Sequence, residues 1–259
     1  MLNSIRYIHG GAWRDPFVDS KSFKPAVEIL SSNPSWRTSI AGFASINYRL
    51  SAYPGHPNDP SSPDDEARNA IYPTHLLDVS RALLYLNDKY KINNRYILAG
   101  HSAGGTLAFE LNDWYLSDTP LPQPACVLGI AGIYDLEAII EYHKAIPEYR
   151  EFIEMAFPDN SLWDQASPSK SHLSATAKWQ NARVIIIAHS PEDGLVEDGQ
   201  AAEMLERAQR LPNADQKVHF IPIMGKHDEI WFKGHGLADL ITKSVDILRS
   251  STKLPKVTT

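Results

Sequence analysis

The hexapeptide Gly100-His101-Ser102-Ala103-Gly104-Gly105 fits the pattern Gly-x-Ser-x-Gly. It follows the apolar run Tyr96–Ala99, which we predict as a strand, and it opens a stretch of helical pattern that begins at Ala103. A serine at such a strand-to-helix turn is held in a strained backbone conformation that exposes its hydroxyl group. Glycines on either side prevent collisions with the neighbouring strand and helix. The pattern with these flanks predicts a nucleophile at Ser102, and a plain turn is the alternative.

The rest of the chain repeats this alternation of short apolar runs and helical stretches. The predicted strands are residues 5–8, 41–46, 96–99, 126–131, 184–188 and 218–223. Near-continuous apolar runs are typical of strands buried on both faces of a parallel sheet. Helical spacing lies between them, at residues 76–86, 103–114, 200–208 and 237–248. We therefore predict one α/β domain over residues 1–259, with a mostly parallel, doubly wound sheet of about six strands and helices on both faces.

Two segments interrupt the alternation. Residues 51–73 are rich in Pro, Ser, Asp and Asn, and we predict a surface loop there. Residues 133–181 are too long for a simple crossover and are rich in aromatic side chains. We interpret them as a helical, cap-like insertion over a cleft, with an ordinary packed helical subdomain as the alternative.

Composition excludes several classes of partner. The 259 residues carry 25 Lys and Arg against 31 Asp and Glu, a formal charge of −6. This charge argues against nucleic acid and anionic membranes as partners, since both attract basic surfaces. No run approaches the roughly 18 apolar residues of a membrane span, and the N-terminus lacks a signal-peptide pattern. We therefore predict a cytoplasmic protein. A single cysteine, Cys126, excludes an internal disulfide and is interpreted as an inert core residue.

A second motif, His9-Gly10-Gly11-Ala12-Trp13, follows the first predicted strand. Acyl transfer needs hydrogen-bond donors aimed at a developing oxyanion, and paired glycines let backbone N–H groups approach the substrate closely. We predict that Gly10, Gly11 and Ala103 supply these donors. His9 is interpreted as a brace for this loop, and Trp13 as a residue that either lines the pocket or packs in the core.

An acid and a base are expected to complete the site in the chain order Ser, then Asp or Glu, then His. A serine hydroxyl is a weak nucleophile until a base takes its proton. Asp193 follows the fifth predicted strand and His227 follows the sixth, so we predict Asp193 as the acid and His227 as the base. Four competitors are interpreted as structural: Asp198 in the first turn of the next helix, Glu192 pointing elsewhere, His235 on the surface of the final helix, and His189 at a strand end.

Metal and nucleotide chemistry have no support in the sequence. It contains no His-Glu-x-x-His motif, no paired cysteines and no Lys-Ser/Thr ending after the glycine-rich turn. We predict no metal site and no cofactor.

These motifs resemble the α/β-hydrolase superfamily, and the two glycine-rich motifs together resemble its hormone-sensitive-lipase-like esterase branch. Two further segments, Gly132-Ile133-Tyr134-Asp135-Leu136 and Ala156-Phe157-Pro158-Asp159, are similar to segments of the fungal kynurenine formamidases, or arylformamidases. Residues 7–13, 46–51, 189–193 and 225–229 extend the likeness over nearly the whole chain.

The resemblance implies a serine hydrolase that converts N-formyl-L-kynurenine to L-kynurenine and formate, in tryptophan breakdown toward NAD. It assigns the nucleophile, acid and base to Ser102, Asp193 and His227, and the oxyanion donors to Gly11 and Ala103 with Gly10 nearby. The substrate would be a small aryl formamide or ester. We expect the aromatic ring of the substrate to lie against three further residues, Trp13, Tyr134 and Trp231.

One departure from the family accompanies this likeness. One or two strands normally precede the His-Gly-Gly strand in the superfamily, whereas here that strand begins within a few residues of Met1. Either the preceding strands are absent or the start of the chain is shortened. A missing edge strand would leave that side of the sheet exposed, and a homodimer is an open alternative. Two other functions compete with the formamidase: a carboxylesterase for small aryl or natural-product esters, and a hydrolase-fold binding protein without activity.

Overall fold

The computed structural model describes residues 3–37, 40–113, 119–172 and 176–251. The predicted ranges 1–259, 103–114 and 133–181 each extend into segments outside these described residues.

Within the described residues, six parallel strands form one sheet, which confirms the predicted architecture. The strands are β1 (Asn3–Ile8), β2 (Ile40–Ile46), β3 (Tyr96–His101), β4 (Cys126–Ile130), β5 (Val184–His189) and β6 (Val218–Pro222). They are ordered β2-β1-β3-β4-β5-β6, and every neighbouring pair is parallel. The chain runs outward from β1 to β2 and then returns past β1 to β3. This reversal makes the carboxyl ends of β1 and β3 the switch point where ligands bind in such sheets.

Eleven helices are found in the described residues, and they cover both faces of the sheet. They are α1 (Lys24–Ser32), α2 (Pro34–Arg37), α3 (Thr74–Tyr90), α4 (Ala103–Glu110), α5 (Leu136–Tyr142), α6 (Pro147–Ala156), α7 (Trp163–Ala166), α8 (Asp198–Gln209), α9 (Ala214–Lys217), α10 (Glu229–Phe232) and α11 (His235–Ser251). Apolar side chains of α1 and α11 pack on one face. Those of α3 to α8 pack on the other face. None of these helices is long and apolar enough to cross a membrane.

The strands β3, β4 and β5 lie at the centre of the sheet and all their residues are buried. This is the environment predicted from their near-continuous apolar sequences, which are typical of strands buried on both faces of a parallel sheet. The edge strands β2 and β6 are only partly buried. The exposed edge beside the first strand is thus formed by β2, while β1 lies inside the sheet between β2 and β3.

Two predicted segments differ in detail from the structure. The helix α4 ends at Glu110 because the backbone of Leu111 becomes extended, and the Leu111 carbonyl accepts the Lys178 N–H. The segment 51–73 is irregular apart from one short turn of 3₁₀ helix, as predicted for a loop. It is packed at several points, however, because five of its side chains are buried: Ser51, His56, Ser61, Ala70 and Tyr72.

The helix α4 lies unusually close to the sheet. A side chain at Gly104 would collide with the carbonyl groups of Ile8 and His9, and one at Gly100 would collide with the backbone of Gly104. Gly105 likewise faces the Cα atom of Gly132, where an added Cβ would lie only 2.9 Å away. The glycines of the motif therefore set the distance between the nucleophile turn and β1.

The first prediction concerns this close approach. We expect Gly104→Ala to lower the free energy of unfolding by about 3 kcal/mol or more, because rigid backbone atoms must move to admit the methyl group. Gly42→Ala is a matched control, since nothing lies within 4 Å of a Cβ added there, and its effect should stay within about 0.5 kcal/mol. Urea unfolding of both variants measures the difference. Equal stabilities would contradict the proposed role of the close contact.

Several ionisable side chains are buried in this fold. Burial lowers the pKa of His9 and of His75 to about 4, and it lowers the pKa of His101 well below its usual value. Burial also raises the pKa of Glu110 well above its usual value. All four groups are therefore neutral in the folded protein near pH 6.

The second prediction is the pH dependence of stability that follows. Between about pH 4 and 6.5 the three histidines bind protons only after unfolding, whereas Glu110 releases its proton on unfolding. The three histidines outweigh the one carboxyl, so stability should fall on acidification from about pH 6.5 toward pH 4. We expect His75→Gln to reduce this slope and Glu110→Gln to steepen it, as measured by urea unfolding at a series of pH values. If neither variant changes the slope, the pH dependence does not arise from the buried histidines and Glu110.

Candidate active site

Ser102 lies at the sharp turn between β3 and α4. Its backbone has φ 53° and ψ −124°, a region that costs a non-glycine residue of the order of 1–3 kcal/mol. The Ser102 N–H donates to the Ile130 carbonyl at 2.9 Å, which fixes the turn on the neighbouring strand. The helix begins at the next residue, so its free N–H groups and positive dipole end lie beside the serine. The sequence motif and the backbone strain therefore coincide at the predicted nucleophile.

Asp193 and His227 are joined by a direct hydrogen bond. The His227 Nδ1 atom donates to the Asp193 Oδ2 atom at 2.7 Å, and the N–H groups of Leu195 and Val196 both donate to Oδ1 at 2.9 Å. Burial by itself would raise the pKa of the Asp193 carboxyl, but the bond from His227 and the two backbone donors lower it below its usual value. An ionised Asp193 holds the proton of His227 on Nδ1 and leaves Nε2 free to accept one.

The loops that carry this pair are tied to each other. Ser190 donates its hydroxyl hydrogen to the Gly225 carbonyl at 2.7 Å, and the Glu192 carboxylate accepts the Gly225 N–H at 2.9 Å. Glu192 thus joins the loop after β5 to the loop after β6 and does not contact His227 itself. The Tyr149 hydroxyl donates to the Leu195 carbonyl at 2.6 Å, which attaches α6 to the same acid loop.

His101 supports the loop of the expected base, a role that we did not predict. Its Nε2 atom donates to the His227 carbonyl at 3.1 Å, and the two rings lie 4.6 Å apart between centroids. Because burial keeps His101 neutral, it places no second positive charge beside His227. His101 occupies a variable position of the Gly-x-Ser-x-Gly motif, so the motif did not predict this contact.

The competing residues lie elsewhere. Asp198 is the first residue of α8 and its side chain is 74% exposed, with Oδ1 at 3.3 Å from the buried His189 Nε2. His235 is exposed at the start of α11. Among the described residues, neither Asp198 nor His235 forms a hydrogen bond or ion pair with Ser102 or Asp193.

The His-Gly-Gly loop adopts three consecutive left-handed residues: Gly11 at φ 86°, Ala12 at 48° and Trp13 at 58°. The Gly11 carbonyl accepts the N–H groups of Arg14 and Asp15, each at 2.9 Å. A Cβ added to Gly10 would lie 2.9 Å from the Ser102 Cβ. The loop therefore lies directly against the serine, in the place expected for Gly10 and Gly11.

His9 has the surroundings of a brace. Its Nδ1 atom donates to the Gly10 carbonyl at 3.0 Å, and its ring stacks on Tyr48 with 4.4 Å between centroids. The Tyr48 hydroxyl in turn lies 3.1 Å from the His9 carbonyl and 2.9 Å from the Gly10 carbonyl. These contacts fix the loop.

A cavity of about 340 Å³ connects these elements. Its volume falls within the range of small-molecule sites. It is lined by Gly11, Ala12, Arg14, Asp15, Val18, Tyr53, Ser102, Ile133, Ile139, Glu148, Tyr149, Phe152, Leu195, Val196, His227 and Asp228. Larger clefts of about 410 and 790 Å³ lie elsewhere and include neither Ser102 nor His227.

The aromatic wall of this cavity differs from the expected one. Trp13 and Tyr134 are fully buried in the core, and Trp231 packs with the α1 and α11 side of the sheet. None of the three lines the cavity within the described part of the chain. Its aromatic wall consists of Tyr53, Tyr149 and Phe152. Tyr149 and Phe152 belong to the insertion 133–181, whose richness in aromatic residues could have indicated them as lining residues. Tyr53 lies in the loop 51–73, where the sequence contains no such indication.

One group of potential metal ligands is found in the described residues. His101, His227 and Asp228 bring one ligand atom each within 4.8 Å of one another. Each of these side chains makes one hydrogen bond through one of its two ligand atoms: His227 Nδ1 to Asp193, His101 Nε2 to a backbone carbonyl, and Asp228 Oδ1 to the Trp231 indole N–H at 3.0 Å.

Curated relatives cover most of this chain, although no protein-family model matches it. Kynurenine formamidase avaC of Aspergillus versicolor is 38% identical over 253 residues, which are 89% of this chain and 84% of the relative. The kynurenine formamidase-like hydrolase fscH of Fusarium equiseti is 33% identical, over 95% of this chain and 83% of its own. Kynurenine formamidase of Meyerozyma guilliermondii is 32% identical, with coverage of 93% and 84%.

Solved structures share the fold. Carboxyl esterase 2 of Tuber melanosporum superposes with a TM-score of 0.66 at 19% identity, over 98% of this chain and 79% of its own. A hormone-sensitive lipase from a metagenome library gives a TM-score of 0.61 at 19% identity, over 96% and 77%. The fold is therefore that of the α/β-hydrolases. With relatives above 30% identity along most of both chains, it belongs to the kynurenine formamidase family.

Proposed function

We propose that this enzyme hydrolyses N-formyl-L-kynurenine to L-kynurenine and formate. The observation that carries the proposal is a cavity lined by both Ser102 and His227, with His227 hydrogen-bonded to Asp193. The names of the relatives support the choice of an aryl formamide as substrate. The mixed lining of apolar, aromatic and charged side chains is suited to an aromatic ring that carries polar groups.

Ser102 is the proposed nucleophile, and His227 the proposed general base and acid. The Ser102 oxygen attacks the formyl carbon while His227 Nε2 takes its proton. The backbone N–H groups of Gly11 and Ala103, with Gly10 nearby, stabilise the oxyanion of the tetrahedral intermediate. Asp193 holds the imidazole in position and stabilises its protonated form.

The leaving group then needs the same histidine as an acid. An arylamine departs poorly as an anion, so protonated His227 gives its proton to the nitrogen as the C–N bond breaks. This step leaves a formyl-enzyme on Ser102. Water, deprotonated by His227, attacks the formyl carbon, and formate leaves as Ser102 regains its proton. Since formyl is the smallest acyl group, a small acyl site is sufficient.

The proposed setting of this enzyme follows from the sequence. We propose a cytoplasmic location, one domain over residues 1–259, and residues 133–181 as a cap-like insertion. A homodimer stays an open alternative, with the partly exposed edge strand β2 as one place for contact.

The third prediction tests the substrate. We expect kcat/KM for N-formyl-L-kynurenine to be far above that for p-nitrophenyl acetate or butyrate, and Ser102→Ala to lower it by roughly 10⁴-fold or more. Absorbance assays of the three substrates provide the measurement. Rapid ester turnover with a negligible formamide rate would instead favour a carboxylesterase for small aryl or natural-product esters.

The fourth prediction separates the two aspartates that follow β5. We expect Asp193→Asn to lower kcat by a factor of the order of 10³ to 10⁴, because the amide no longer selects the correct tautomer of His227. Asp198→Asn is the matched control and should keep kcat near the unsubstituted value, since its carboxylate is mostly exposed. Steady-state kinetics of both variants on one substrate measure the two kcat values and show which aspartate is the acid. A larger loss from Asp198→Asn would reassign the acid.

A further inference from the structure

Arg14 is a buried cation in the cavity that contains Ser102. Its side chain is only 6% exposed, and it lines the cavity together with Ser102 and His227. It follows the oxyanion loop directly, and its backbone N–H donates to the Gly11 carbonyl at 2.9 Å. A charge in this position is costly unless a partner compensates for its lost hydration.

The guanidinium group is held in one orientation by its neighbours. Its Nη1 atom donates to the Glu151 Oε1 atom of α6 at 2.7 Å. The group also lies over the Tyr53 ring, 3.9 Å from the centroid. These contacts leave Nε and Nη2 without a hydrogen-bond partner in the part of the chain that the structure describes. A fixed, planar group with free N–H donors is suited to a carboxylate.

The other charges of the cavity favour the same assignment. Apart from His227, Arg14 is the single basic side chain among the described residues that line it. Three acids share the lining. Asp15 accepts the Phe17 N–H, Asp228 accepts the Trp231 indole N–H, and exposed Glu148 has no partner among the described residues. A substrate carboxylate would be repelled by these acids everywhere except at Arg14, while Glu148 is free to attract an ammonium group.

We propose that Arg14 is a specificity-determining residue that binds a carboxylate on the leaving group. The enzyme would then select aryl formamides whose ring substituent carries an α-amino-acid group. This inference rests on the proposed function of the site at Ser102. It adds that the site recognises a negative charge on the substrate. Glu151 is then a positioning residue, which holds the guanidinium without contacting substrate.

A purely structural role makes a different prediction. If Arg14 only ties the oxyanion loop to α6, loss of either partner of the Arg14–Glu151 ion pair should slow all substrates alike. If Arg14 binds a carboxylate, its loss should affect charged substrates, whereas Glu151→Gln keeps an amide oxygen that can accept the Arg14 Nη1 hydrogen bond and should leave the preference in place.

The fifth prediction is tested with a pair of substrates that differ in one charge, N-formyl-L-kynurenine and its α-carboxamide. We expect Arg14→Gln to lower the ratio of their kcat/KM values roughly 10- to 100-fold, mainly through KM for the acid. Arg14→Lys should keep part of the preference, because it retains the charge but not the planar fork. Glu151→Gln should not lower the ratio. Arg150→Gln is the matched control, since Arg150 is an exposed cation of α6 paired with Glu154, and its ratio should equal that of the unsubstituted enzyme.

With the formamide pair, two results would overturn the inference: no preference for the acid in the unsubstituted enzyme, or an unchanged ratio in Arg14→Gln with equal losses for both substrates. Para-acetoxybenzoate and para-acetoxybenzamide form a second pair that requires only esterase activity. If neither formamide is hydrolysed but the ester pair shows the preference and its loss in Arg14→Gln, the proposed formamidase function fails while the role of Arg14 stands. If the ester pair also lacks the preference, the inference about Arg14 fails.

Discussion

The contact between the start of α4 and the end of β1 is the constraint on which the site depends. Gly104 lets the helix approach the carbonyl groups of Ile8 and His9, and Gly10 lets the neighbouring loop lie against Ser102. Because β1 and β3 are adjacent at the point where the strand order reverses, both loops leave the sheet at the same edge. The nucleophile turn and the loop of oxyanion donors are therefore assembled by backbone packing alone.

The ionisable groups around this contact are arranged so that no second positive histidine lies beside His227. His9 and His101 flank the site and are both kept neutral by burial, while Asp193 is kept ionised by three hydrogen bonds. A positive charge that develops on His227 during reaction thus faces the Asp193 carboxylate that it bonds to, has the Asp228 carboxylate within 4.8 Å, and meets no imidazolium from His9 or His101. Preorganisation of this kind lowers the cost of charge development in the transition state.

Much of the fold and the core of the site could be predicted from the sequence. The six strands lie within two residues of their predicted bounds, since buried parallel strands carry long apolar runs. The bond between Asp193 and His227 joins the two side chains that chain order had paired. The pocket was less predictable, because Trp13 and Tyr134 pack beneath the loops that they belong to. Which aromatic ring faces a cavity depends on tertiary packing, and local sequence does not encode it.

The helix α6 has a further consequence for how this enzyme can diversify. It supplies Phe152 to the cavity wall, holds Arg14 through Glu151, and supports the acid loop through the Tyr149 hydroxyl. One ten-residue helix therefore serves both the shape of the pocket and the alignment of the acid. Substitutions that remodel α6 for a new substrate also disturb the loop of Asp193, so selectivity and turnover are inherited together.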